Sequence, residues 1–227
     1  MNRADFFNQA RRIVVKVGSG VLTAQAGLNL PIIEELSRQI HQLIADGRDG
    51  LLVSSGAMAS GMKKIGLTRR PDEIPKRQAM AAVGQAGLIL AYEKAFAVYD
   101  RKVAQILLTG EDLTNRVRYL NARNTLHTLL SWKIIPVINE NDTVAVDEIK
   151  FGDNDNLAAM IANAIEAELV INLTMTEGLF DRNPTLVKDA KRIPVIREIT
   201  PEIESAASEE GTAEGRGGMR SKVLAAK

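Results

Sequence analysis

The stretch INENDTVAVDEIKFGDNDNLAAMIANA, residues 138–164, gathers six carboxylates and five amides, counting the final Asn163, where an apolar run (134–138) gives way to a helix-patterned run (157–165). A chain reversal needs only two or three such residues, so the surplus points to chemistry. Asp153, Asn154, Asp155 and Asn156 stand at the entry to the second run, where helix capping accounts for one of them but not four. Asn139, Asn141 and Asp142 close the first run. Amides placed together can hydrogen-bond a small zwitterion, while carboxylates can receive its ammonium group or hold Mg²⁺ and lysines in place.

Cations and glycines occur elsewhere in a matching pattern. VVKVGSG puts Lys16 inside an apolar run, followed by Gly18, Ser19 and Gly20. A buried ammonium needs an anion or an escape to the strand end, so Lys16 is either a snorkelling lysine or an anion ligand. The glycines favour the second reading, because backbone N–H groups without a neighbouring Cβ can approach phosphate oxygens. VSSGAMASG repeats the arrangement with Ser54, Ser55 and Gly56 at a helix start. Opposed charges around one cleft suit phosphoryl transfer, which needs positioning and charge neutralisation more than covalent help. One lysine about 4 Å from a phosphate charge contributes roughly 4 kcal/mol before desolvation, too little for a triphosphate. A second cation is therefore expected, and GRGGMRSKVLAAK offers Lys222 behind another glycine loop. Neither G-x-x-x-x-G-K-[ST] nor a completed G-x-G-x-x-G is present, since Thr23 stands at the last position of the latter. His41 and His127 lie in helical patterns far apart and receive no catalytic role.

These groups need a frame. Five β-rich runs, 13–17, 50–53, 103–108, 134–138 and 169–173, alternate with helical patterns, and all but the run at 103–108 are nearly continuously apolar. Pro31 opens one helix, which Asp46-Gly47 closes. KRQAMAAVGQAGLILAYEKAFAVYD is rich in Ala and Gly and is expected to pack closely on a neighbour; YLNARNTLHTLLSW and the stripe Leu157, Met160, Ile161, Ala164, Ile165 supply two more helices. The fold class is α/β, with a mainly parallel sheet and helices on both faces. Pro136 argues mildly against a central strand at 134–138, because it removes a ladder donor. Every run ends in a polar or glycine-rich tip: GSG, SSGAMASG, TGEDL, NENDT and TMTEG. Loops are polar in any case, but in a parallel sheet all five tips share the carboxyl edge, where such folds bind ligands.

With 227 residues and 45% hydrophobic content the chain fits one domain. Twenty-nine Lys and Arg against 28 Asp and Glu give no electrostatic case for nucleic acid or an anionic membrane. Without cysteine, disulfides and thiolate chemistry are excluded. MNRADFFNQARR has no apolar signal region and no run approaches a membrane span, so a soluble cytoplasmic location is expected.

The blocks VVKVGSGVLT, VSSGAMASG, QAMAAVGQAGL, YLNARNTL, PVINENDTVAVDEIKFGDNDNLAA and GGMRSK, in this order, resemble the glutamate 5-kinases of the amino acid kinase family. The resemblance runs through essentially the whole chain and implies a three-layer α/β/α sandwich. It also implies transfer of the ATP γ-phosphate to the side-chain carboxylate of L-glutamate, with Mg²⁺, as the first step of proline biosynthesis. By resemblance, Lys16 and Lys222 stabilise the transferring phosphoryl group and Asp155 orients them. Ser55, Asn139, Asp142, Asp153 and Asn154 hold glutamate. Gly18, Ser19, Thr174, Gly217, Gly218 and Met219 line the nucleotide side, and no residue is assigned as a protein metal ligand. A homo-oligomer and feedback inhibition by proline are implied as well.

Three departures qualify that likeness. Leu173-Thr174-Met175 replaces the usual Leu-Thr-Asp, and Arg216 stands in the phosphate-side loop Gly215-Arg216-Gly217-Gly218-Met219. The sequence also stops at KVLAAK, so a kinase domain lacking its closing strands and a C-terminal PUA domain is expected over 1–227. Two alternatives follow from these: a truncated or variant glutamate/proline-binding module with impaired ATP binding, and a family member acting on another acceptor. SAASEEGTAEGRGG is small, acidic and weakly apolar, and a mobile loop is expected there.

Overall fold

The computed structural model describes residues 3–24, 27–145, 154–207 and 218–227. The first half runs α1 (Arg3–Gln9), β1 (Arg12–Val17), α2 (Ser19–Leu22), β2 (Thr23–Ala24), β3 (Gly27–Leu28), α3 (Leu30–Ala45), β4 (Asp49–Ser54), α4 (Ala57–Ile65) and α5 (Ile74–Ala97). The second half runs β5 (Val103–Leu108), α6 (Gly110–Thr114), α7 (Arg116–Ser131), β6 (Ile135–Glu140), α8 (Asn154–Ala164), β7 (Leu169–Leu173), α9 (Pro201–Ala206) and α10 (Met219–Ala226).

Five strands form one sheet in the order β5-β6-β4-β1-β7, and every neighbouring pair is parallel. The apolar runs of β1, β4 and β6 are explained by that order, since the three interior strands are covered on both faces. β5 lies at one end of the order and is only half-buried, which is why its run is the least apolar. Pro136 is accommodated inside the sheet. Ile135 N–H donates toward β5, to Lys102 O, so the next nitrogen faces β4, and the β4–β6 pairing begins only at Val137.

Alternation along the strands builds two core layers. Ile13, Val15, Val17, Leu52 and Val137 pack with Ile33, Leu36, Ile40, Leu88, Tyr92 and Phe96 of α3 and α5. Val14, Leu51, Val53 and Ile138 face the other way, onto Leu126, Leu130, Leu157, Ile161 and Ile165 from α7, α8 and its end. A third, smaller cluster joins Leu179, Ala207 and Val223, with Met219 against it. The Ala- and Gly-rich helix does pack closely on a neighbour. A Cβ on Gly84 would lie 1.7 Å from Ala57 O, and one on Gly61 would lie 2.0 Å from Met80 O, so α4 and α5 meet backbone to backbone.

Because the ladders of the five-stranded sheet are all parallel, its five tips share one edge. Several are more ordered than loops. Gly18 caps α2, which starts at Ser19. Thr109 makes a capping box with Asp112 at the start of α6. β6 runs on through Asn139 to Glu140, which places Asn139 in the strand rather than after it. The expected loop at 205–218 falls largely on residues 208–217, outside the described residues.

Candidate functional site

Lys16 is the fifth residue of β1, and its parity turns it onto the α8 face of the sheet with Val14. There its Nζ lies 2.5 Å from Asp155 Oδ1, with side-chain exposures of 4% and 0%. From the far end of the chain, α10 packs on α8 and brings Lys222 Nζ to 3.1 Å from Asp155 Oδ2. One carboxylate thus bridges two ammonium groups. Asp155 sits in the first turn of α8, where the helix dipole favours an anion. Burial alone would raise its pKa, but the charge and hydrogen bond of Lys16, the Ser221 hydroxyl and the charge of Lys222 together hold it below the ordinary carboxylate range.

Ser221, not singled out from the sequence, completes this bridge. Its hydroxyl lies 2.7 Å from Asp155 Oδ2 and 2.9 Å from Gly218 O, tying α10's first turn to α8. The only signal available was its position beside Lys222. Asn172 was also missed. It pairs in register with Lys16 on β7, and its Oδ1 is buried without a hydrogen-bond partner among the described residues.

A second cluster adjoins the first. Asn154 Nδ2 donates to Ser55 Oγ and to Asn139 Oδ1, each at 2.9 Å, so the β4 and β6 tips meet at the start of α8 through one amide. Asn154 Oδ1 remains buried with no partner among the described residues. The Ser55 peptide is fixed from both sides: its N–H donates to Val17 O at 3.1 Å, and its carbonyl accepts from Ser54 Oγ at 3.1 Å. With its own proton so placed, Ser54 Oγ accepts from the buried Tyr92 hydroxyl at 2.9 Å. Gly56 then turns at φ 106° into α4, a conformation that side-chain-bearing residues rarely adopt.

The remaining expected residues are placed less tightly. Asp142 lies half-buried in the turn after β6, a turn held to α5 by Gln78 Nε2 donating to Ala145 O at 3.1 Å. Thr174 follows β7. Gly218 caps α10, and Met219, its first residue, packs into the small third core. Asp153, Arg216 and Gly217 lie outside the described residues. Gly18 N–H donates to Leu173 O at 3.3 Å, joining the β1 and β7 tips. Both histidines stand at the other edge of the sheet. His41 stacks on Tyr99 with centroids 4.6 Å apart and accepts from Arg101, while burial and the charges of Arg12 and Arg123 lower the pKa of His127.

The model of the amino acid kinase family matches residues 11–227. The chain belongs to the amino acid kinase family. Within it, the chain is 56% identical over 226 residues to a protein named glutamate 5-kinase from Syntrophus aciditrophicus (strain SB), covering 100% of this chain and 59% of that protein. It is 51% identical to the glutamate 5-kinase of Geobacter sulfurreducens, over 99% of this chain and 61% of the relative. To that of Caldanaerobacter subterraneus subsp. tengcongensis it is 53% identical over 217 residues, 95% of this chain and 58% of the relative. The chain therefore spans about three-fifths of the length of these curated relatives.

Among the described residues of this family member, no group of three or more His, Asp or Glu side chains could hold a metal ion. Both oxygens of Asp155 are already engaged by ammonium groups and a hydroxyl, so a metal held by the protein at this point does not fit. No helix among the described residues is long and apolar enough to cross a membrane.

Proposed function

We propose that this chain binds ATP and L-glutamate and transfers the γ-phosphate to the glutamate side-chain carboxylate, giving γ-glutamyl phosphate and ADP at the start of proline synthesis. The observation that carries the reading is the adjacency of Asn154 and Asp155 at the start of α8. One anchors the amide cluster and the next bridges two lysines. An acceptor held by Asn154, Ser55 and Asn139 would therefore lie beside the charges needed by a migrating phosphoryl group. The names of the relatives support the same acceptor and donor.

In this mechanism a γ-carboxylate oxygen attacks Pγ, and the bond from Pγ to the β,γ-bridging oxygen breaks. A glutamate side chain is ionised at neutral pH, so no general base has to remove a proton. That agrees with histidines placed only at the opposite edge. Lys16 and Lys222 neutralise charge on the equatorial and leaving oxygens, Asp155 holds them in place, and the buried Asn154 Oδ1 offers an acceptor to the substrate ammonium. Asp142 and Asp153 belong to the acceptor side of this proposal, and Gly18, Ser19, Thr174, Gly217, Gly218 and Met219 to the nucleotide side. Mg²⁺ would accompany the nucleotide as MgATP and would supply charge neutralisation on the phosphates, with no residue of this chain proposed as its ligand. A cytoplasmic homo-oligomer inhibited by proline at the acceptor pocket completes the proposal.

The test is glutamate-dependent ADP release from MgATP by this chain and by Lys16→Ala and Asp155→Ala. Loss of about 10²–10³ in kcat is expected for Lys16→Ala. Equal rates in all three proteins would refute the mechanism. Glutamate binding without ATP binding, read by calorimetry, would instead mark a recognition module.

A further inference from the structure

We infer that Met175 is an oxidation site through which peroxide controls nucleotide access to the β1 tip; the nucleotide half of this inference rests on the function proposed above. Met175 follows the β7 tip and is 75% exposed, whereas Met58, Met62, Met80, Met160 and Met219 are half-buried or buried. It is thus the one exposed methionine among those described. Its thioether stands over Gly20. A Cβ on that glycine would lie 3.0 Å from Met175 Cγ and 3.7 Å from Sδ. The same tip is joined to β7 by Gly18 N–H donating to Leu173 O, so Met175 and the glycines lie along one edge of the sheet.

A thioether is apolar and polarizable, and it can yield to an incoming ligand. Oxidation changes that. A hydroperoxide or H₂O₂ transfers one oxygen to Sδ: a sulfur lone pair forms the S–O bond, the O–O bond breaks, and the peroxide leaves as alcohol or water. Sulfur is oxidised by two electrons and the peroxide is reduced by two, with no further reductant needed. The product is a polar sulfoxide that is restored by sulfoxide reductases. Its oxygen adds bulk and a strong acceptor beside Gly20, on the side from which nucleotide phosphates would come. Acceptor faces acceptor there, and the phosphate is repelled.

The experiment treats the full chain with limiting H₂O₂, with and without ATP, maps sulfoxide by peptide mass spectrometry, and measures ATP binding by calorimetry before and after. Met175 is expected to oxidise ahead of the other mapped methionines, and saturating ATP is expected to slow it. Oxidation is expected to weaken ATP binding about tenfold, equivalent to about 1.4 kcal/mol, and sulfoxide reductase to restore it. In Met175→Leu, compared with its own untreated state, peroxide is expected to leave ATP binding unchanged. Oxidation at Met175 no faster than at the half-buried methionines, or unchanged ATP binding after complete oxidation there, would overturn the inference. Protection by ATP in a chain that shows no glutamate-dependent turnover would support this inference while refuting the proposed kinase activity, so the two failures are distinguishable.

Discussion

Replacing Asp155 by Asn removes the negative charge that Lys16 and Lys222 share and sets a neutral amide against two ammonium groups with side-chain exposures of 4% and 13%. Breaking a buried pair by deleting one partner costs about 3–5 kcal/mol, chiefly because the surviving charge stays desolvated. For a chain of this size that is a fall in Tm of about 6–20 °C. Urea unfolding and thermal melts at pH 7 measure it. The pH dependence has a definite sign. The folded pKa of Asp155 lies below the ordinary aspartate value of 3.8, so its contribution is complete above that value and is lost as pH falls through the lower folded pKa. The difference between wild type and Asp155→Asn is therefore flat from pH 8 down to about pH 5 and shrinks only at more acid pH, where the wild-type carboxyl also becomes neutral. A triple variant, Lys16→Met with Asp155→Leu and Lys222→Met, separates charge from packing. Replacing a buried ionic set by apolar side chains is often neutral, so most of the stability is expected to return while activity does not. A triple variant as unstable as Asp155→Asn, or a single variant within about 1 kcal/mol of wild type, would refute the account of a desolvated bridge.

Gly84→Ala drives a Cβ into Ala57 O and is expected to destabilise by at least the roughly 1–3 kcal/mol of ordinary overpacking, read as a lower urea midpoint. Asn115 Oδ1 accepts from Val117 N–H and Arg118 N–H at the start of α7, so Asn115→Ala is expected to cost about 1 kcal/mol in urea unfolding with unchanged kcat. Tyr92→Phe leaves Ser54 Oγ without its donor. A loss of about 1 kcal/mol is expected, together with a raised KM for glutamate at little change in kcat, because Ser54 holds the Ser55 carbonyl. A KM equal to wild type would limit Tyr92 to a packing role.

The three interior strands were legible because burial on both faces leaves a local apolar record, and the two end strands because their runs are β-rich and bounded by polar tips. The β-rich runs at 103–108 and 169–173 match β5 and β7 to the residue, and the other three differ by one or two positions. Helix α3 announced itself through Pro31 and Asp46-Gly47. The lysines and Asp155 were singled out by type and by resemblance. Asn172 left no such mark, since one amide in an apolar run acquires meaning only when the register sets it beside Lys16. Ser221 is equally silent in sequence, and its role depends on α10 lying against α8.

What the sequence alone determined, then, is the set of parts: alternating strands and helices, a polar or glycine-rich tip after each strand, and an amide-rich acceptor stretch. Those follow from backbone preferences and apolar periodicity, which act over a few residues. The tertiary structure decided which parts meet. The order β4-β1-β7 and the seating of α8 and α10 on one face bring Lys16, Asp155 and Lys222 within 3.1 Å of shared contact. No local preference encodes such contacts, because they arise only when both faces of the sheet are buried at once and the charges carried inside must find one another.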